Sequence, residues 1–187
     1  MKRITGIAVL AVALAVPVAA LGDQTTTTDN QNAAKECKAL LKAEGTSNFK
    51  HAWGAKGKGR AYGKCVSSKS KDEATERQDA QKNAAKQCKA EKAMTNADFQ
   101  ASHGGKTFAE FYGAKNANSA YGKCVSTNAK QNKAEADQKD QDTITAAKFC
   151  RGEQTKDSAA FKTTYKNFGT CVSKKAHELN AQRQQSQ

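Results

Sequence analysis

Residues 62–88 read YGKCVSSKSKDEATERQDAQKNAAKQC, closing one cysteine motif and opening the next. Between Ser67 and Lys82 there is no Gly, no Pro and no large apolar residue. Good helix formers dominate, and opposite charges stand four residues apart in Glu73–Arg77. A second stretch of the same character, Ser126 to Thr143, contains the pair Lys133–Asp137. A disordered linker competes with a solvated helix for such a composition. Because no helix breaker separates the two motifs, continuous helices are expected, rising about 35 Å from Cys65 to Cys88 and about 39 Å from Cys124 to Cys150.

The motifs at the ends of these stretches recur three times. Asn-Ala-Ala-Lys-x-Cys opens at Asn32 and Asn83, and Thr145 starts the third copy as Thr-Ala-Ala-Lys-Phe-Cys. Each is answered by aromatic-Gly-x-Cys-Val-Ser, at Tyr62, Tyr121 and Phe168. All six cysteines occupy these positions, as Cys37/Cys65, Cys88/Cys124 and Cys150/Cys171. Six thiols allow 15 pairings, but three copies of one folding unit select three bridges, one within each copy. The separations of 28, 36 and 21 residues match no compact zinc ligand set, and His51, His103 and His177 have no common place in the repeat. No metal or cofactor is expected.

The N-terminus supports an oxidising destination for those thiols. Lys2 and Arg3 precede an unbroken apolar run from Ile7 to Val16, and small residues follow, so residues 1–22 read as a bacterial secretory signal peptide. Its removal takes the net charge from +13 to +11. Large apolar residues are too few for one shared core. Small stapled cores are expected instead, each bridge contributing about 3–4 kcal/mol through the entropy of the unfolded chain.

The division of the chain follows. After the signal peptide come a disordered N-terminus (23–31), module 1 (32–67), a polar helical connector (68–82), module 2 (83–126) and a second connector (127–144). Module 3 (145–175) and a polar C-terminal tail (176–187) complete it. The fold class expected is all-α: three disulfide-stapled helical hairpins joined by long polar helices, extended rather than built on one globular core. Ala34, Cys37 and Leu41 are spaced to share a helix face in module 1, with Tyr62, Cys65 and Val66 turned toward them. Gly45, Gly54, Gly57 and Gly59 break the segment between.

Charge follows the same division. Lys35–Cys65 carries +6, Lys86–Cys124 +3 and Lys148–Lys175 +5, whereas Val66–Ala85 carries 0 and Val125–Ala147 carries −1. Phe49, Phe99 and Phe161 fall 12, 11 and 11 residues after their first cysteines and are expected in the small cores. Trp53 is the aromatic expected to be partly exposed, beside the basic loop Lys56–Arg60. Of 31 basic residues 26 are lysine, which suits diffuse attraction better than bidentate recognition. The residues expected to meet an anionic polymer are Trp53, Lys56, Lys58, Arg60, Lys64, Lys106, Lys115, Lys123 and Lys166. Gly105-Lys106-Thr107 imitates the end of a phosphate-binding loop, but Gln100 stands where the first Gly is required. No catalytic motif is present.

The Ala-Ala-Lys-x-Cys…aromatic-Gly-Lys-Cys-Val-Ser pattern resembles a group of hypothetical secreted bacterial proteins that carry this unit singly or in tandem. The resemblance spans all three modules, with Thr170 replacing the lysine of Lys64 and Lys123 in the third. It implies exported repeat architecture and transfers no functional residue. The function expected is a secreted or envelope-associated, non-enzymatic protein that binds wall polymer, polysaccharide or extracellular DNA. A cell-surface spacer without a ligand is the alternative. No small-molecule substrate is expected, and a membrane enters only through the signal peptide.

Overall fold

The computed structural model describes residues 25–54 and 58–186; the expected signal peptide lies outside them. Every regular element among the described residues is helical. The order is α1 (Thr27–Ala52), α2 (Lys58–Lys92), α3 (Asn96–Ser102), α4 (Phe108–Phe111), α5 (Ala117–Lys156), α6 (Ser158–Tyr165) and α7 (Phe168–Gln185). The three bridges join Cys37 to Cys65, Cys88 to Cys124 and Cys150 to Cys171. Each pins one helix to the next, α1 to α2, α2 to α5 and α5 to α7.

The connectors are helical throughout, as the absence of breakers implies. At 1.5 Å per residue, α2 and α5 are about 52 and 60 Å long. They do not stand apart as solvated arms. They lie antiparallel along one another, with Lys69 paired to Asp140 near one end and Lys133 to Glu76 toward the other. Small residues allow the approach: Ser70, Ala74, Ala80 and Ala84 are buried on α2, on one helical face. On α5, Ala129, Asn132, Ala136 and Asp140 form the matching half-buried row, and Asn132 donates to the Ala80 carbonyl.

Elongation follows from this hairpin. Module 2 caps its tip, with α3 and α4 in the turn. At the opposite end α1 packs antiparallel on α2, with Asp29 reaching Arg77, and α7 packs antiparallel on α5, with Asp142 reaching Arg183. Modules 1 and 3 therefore share one end of the molecule. Their cores meet: Ile144 and Ala147 of α5 join Cys37, Leu40, Ala43, Phe49, Ala61 and Cys65, and Phe168 touches both this cluster and that of module 3. Module 2 keeps a separate core of Phe99, Phe108, Ala120 and its disulfide.

Several local expectations are corrected. Residues 27–31, expected to be disordered, form the first turn of α1. Thr26 and Asp29 make a reciprocal capping box, and Arg77 ties Asp29 to α2. The polar tail continues as α7 to Gln185, secured by Arg183 on Asp142. The expected Glu73–Arg77 pair is replaced: Glu73 pairs with Lys133 of α5 and Arg77 with Asp29 of α1. Lys133 does pair with Asp137. On α1 the buried face is Ala33, Cys37 and Leu40, one residue round from the expected Ala34 and Leu41. Gly59 does not break the chain, since α2 already begins at Lys58. Gly45 does interrupt α1, at φ 79°, and a Cβ there would lie 3.1 Å from the Arg151 guanidinium, which donates to the Lys42 carbonyl.

Candidate binding surfaces

Modules 1 and 2 repeat the same internal hydrogen bonds. Tyr62 donates to the Ala34 carbonyl at 2.9 Å, and its counterpart Tyr121 donates to the Ala85 carbonyl at 3.4 Å. Lys64 donates to the Gly54 carbonyl at 3.1 Å, and Lys123 donates to the Gly113 carbonyl. Both lysines therefore close the loop of their own module onto the second helix. Each ammonium has three donors, so two remain for solvent or a ligand. The third module cannot repeat either contact, because Phe168 and Thr170 occupy those places.

Seven of the nine expected contact residues divide between two ends. Trp53, Arg60, Lys64 and Lys166 lie at the bundled end. Lys106, Lys115 and Lys123 lie at the tip, a distance of about 35 Å along α2. Lys56 is outside the described residues, and Lys58 opens the backbone of α2. Arg60, Lys64, Lys106, Lys115, Lys123 and Lys166 are exposed, and Trp53 is half-buried against Phe49. Lys166 has φ 62° and ψ −51°, at the centre of a γ-turn in which Asn167 N–H donates to the Tyr165 carbonyl at 2.7 Å. The recurrent Phe49, Phe99 and Phe161 are all buried, as core residues.

The carboxylates are arranged differently from the lysines. Among the described residues the buried charged groups are Asp29, Glu36, Glu73 and Asp142, all acidic. Glu36 meets Lys69 at 2.6 Å, and Lys69 also reaches Asp140 at 3.1 Å. Glu73 and Glu76 converge on Lys133 at 2.8 and 3.3 Å, joined by Asp137. The two lysines run along the α1–α2–α5 seam as internal counterions. Burial works against the charge of each, but the carboxylates around them outweigh it and raise both ammonium groups.

Glu36, Glu73 and Asp140 could together hold a metal ion, as could Glu73, Glu76 and Asp137. In each triad a lysine ammonium already provides the cation. A cleft of about 380 Å³ opens on the seam, lined by Glu36, Glu73, Asp137 and Asp140 with Lys35 at its edge. Burial pushes Glu36 up to about 7, against the pull of Lys69. Burial alone does the same to Glu44. Sequence reading missed this seam, although the small-residue row Ser70, Ala74, Ala80 and Ala84 was a signal for it.

Among the described residues no helix is long and apolar enough to cross a membrane. No protein-family model matches this chain, and neither a curated protein nor a solved structure with significant similarity to it was found.

Proposed function

We propose that this chain is a secreted, non-enzymatic protein that binds an anionic polymer of the extracellular space or cell envelope through its basic modules. One observation carries the reading. The seam turns acidic side chains inward and neutralises them with Lys69 and Lys133, while the module lysines remain outside. The net positive charge of the chain is thus carried on the outside, by the module lysines. The paired cysteines and the signal-like N-terminus support export.

The two basic ends are held about 35 Å apart by a braced helical pair rather than a flexible linker. A polymer long enough to touch both gains avidity, because the second contact is intramolecular. A spacer role at the cell surface is the second reading, favoured by the same stiff hairpin. Retention of the mature chain on heparin, DNA or isolated wall at about 50 mM salt, falling steeply as salt rises, is the expected result. The combined variant Lys106→Ala, Lys115→Ala, Lys123→Ala should elute earlier in the salt gradient. Absence of retention on all three supports would leave only the spacer.

A further inference from the structure

We propose that the tip of the molecule carries a second, uncharged binding site that takes one pyranose ring of a neutral oligosaccharide. The site is a cleft of about 470 Å³ lined by His103, Phe111, Tyr112, Thr127, Asn128 and Gln131. That volume lies within the range of small-ligand sites. None of the six side chains carries a formal charge at neutral pH with His103 neutral, in a chain whose net charge is +13.

The aromatic floor is exposed yet fixed. Phe111 is 44 % exposed, the most open aromatic ring among the described residues. Neighbouring rings hold it: centroids lie 5.9 Å from Phe99, 4.7 Å from His103 and 5.0 Å from Tyr112, all near perpendicular. A flat hydrophobic ring held in place without being covered suits the C–H face of a sugar.

The polar groups around it have capacity to spare. His103 Nδ1 lies 2.9 Å from both the Phe99 carbonyl and the Ser102 hydroxyl, so Nδ1 is engaged on its own helix while Nε2 makes no hydrogen bond among the described residues. The Asn128 amide nitrogen points at the disulfide sulfurs of Cys88 and Cys124, at 3.5 and 3.6 Å, leaving its carbonyl oxygen to accept. Thr127 and Gln131 sit one turn apart on α5, and neither side chain makes a hydrogen bond among the described residues. Amides and hydroxyls both donate and accept, which is what vicinal sugar hydroxyls require.

The other modules lack this set. Counted from the second cysteine, Thr127, Asn128 and Gln131 correspond to Ser68, Lys69 and Asp72 in module 1, and to Lys174, Lys175 and Glu178 in module 3. Lys69 is committed to Glu36 and Asp140, and Lys175 to Glu178 and the Phe149 ring. Only module 2 replaces the charges at the fourth and seventh positions with amides, and only its longer loop supplies His103 and Phe111. A nucleotide brings a phosphate with each base, and no cation among the described residues lines the cleft. The chemistry therefore favours a hydroxyl-rich neutral ring over single-stranded nucleic acid.

The site adds to the anionic-polymer reading without depending on it, because ring stacking persists in salt that removes lysine contacts. The test is amide NMR on the full mature chain with three probes: a β-1,4-linked N-acetylglucosamine tetramer, maltotetraose and octathymidylate. At about 500 mM salt one of the two sugars is expected to shift the signals of His103, Phe111, Asn128 and Gln131. Phe111→Ala should weaken that sugar at least tenfold and leave elution from heparin unchanged. Gln131→Leu, an exposed change on α5, serves as the second variant if Phe111→Ala loosens the tip. Silence of both sugars up to about 10 mM, enough to detect a millimolar Kd, overturns the proposal. So does a response to octathymidylate alone.

Discussion

The two ends of this molecule solve the same problem with different materials. At the bundled end, modules 1 and 3 lie side by side, and module 1 borrows Ile144 and Ala147 from α5 to complete its core. At the tip, module 2 has only α2 and α5 beside it and fills its core from within. There Phe99 and Phe108 meet edge to face at 5.4 Å, with Tyr112 against Phe108. The extra residues of module 2 are thus a structural replacement for absent neighbours. Where helices can be shared, Ile144 and Ala147 of the neighbouring helix complete the core; where they cannot, the repeat adds aromatic rings of its own.

The largest expected effect tests this division. Replacing Cys88 and Cys124 together by Ala should remove about 3–4 kcal/mol in the loop-entropy model. It should release the tip first, because no neighbouring module holds α3 and α4 in place. Hydrogen exchange should speed up across residues 89–123 while α1 and α7 stay protected. The matching change at Cys37 and Cys65 closes a similar loop but leaves α1 gripped by α2 and α5, so exchange there should rise less. Equal loss of protection in both variants would dissolve the contrast between the ends.

A smaller effect separates the two modules at one equivalent position. Tyr112 donates to Glu91 at 2.6 Å, and burial together with that carboxylate pushes its hydroxyl up to about 12. In module 1 the corresponding residues are Trp53 and Leu40. Leu40 belongs to the core, and the buried Trp53 Nε1 has no hydrogen-bond partner. Tyr112→Phe should therefore cost about 1–2 kcal/mol, almost all of it the lost charged hydrogen bond. Trp53→Phe sets lost ring contact against removal of an unpaired N–H, and should stay within about 1 kcal/mol of the parent. Denaturant melts of the two variants measure both. A costlier Trp53 change would mean that module 1 depends on its aromatic as much as module 2 does.

The sequence made the local features readable and hid the long-range ones, for a physical reason. Helices and bridges depend on near neighbours and on a repeated spacing, so α2, α5 and the three Cys pairs follow directly from the residues. The seam depends on partners such as Lys69 and Asp140, 71 residues apart. A lysine reads the same whether water or a carboxylate surrounds it. Helix spacing is the only distance a sequence displays and it matches Glu73 to Arg77, yet Glu73 pairs with Lys133 on α5. The candidate lysines were legible as a charge pattern. Their division between two ends was not, because it follows from how the hairpin closes.

The seam also gives the bundled end a pH dependence that the tip should lack. Glu36 sits on α1 facing Lys69 and Glu73 of α2 and Asp140 of α5, and burial lifts it from 4.5 to about 7. Burial lifts Glu44, also on α1, to about 7. Between these values the folded chain holds protons that the unfolded chain releases, so stability rises as pH falls from about 7 toward 4.5. Further acid reverses the trend, because Asp29 is held below its ordinary value by Arg77 and Thr26 despite its burial. That contribution is lost as pH falls through the lowered value. Trp53 is the single tryptophan and lies at the bundled end, so its fluorescence reports melting there. Its Tm should increase by about 3 °C between pH 7.5 and 5.5. The double variant Glu36→Gln, Glu44→Gln should flatten that rise. A Tm that instead falls on acidification would mean that the carboxylate–lysine attraction in the seam outweighs the cost of burying Glu36.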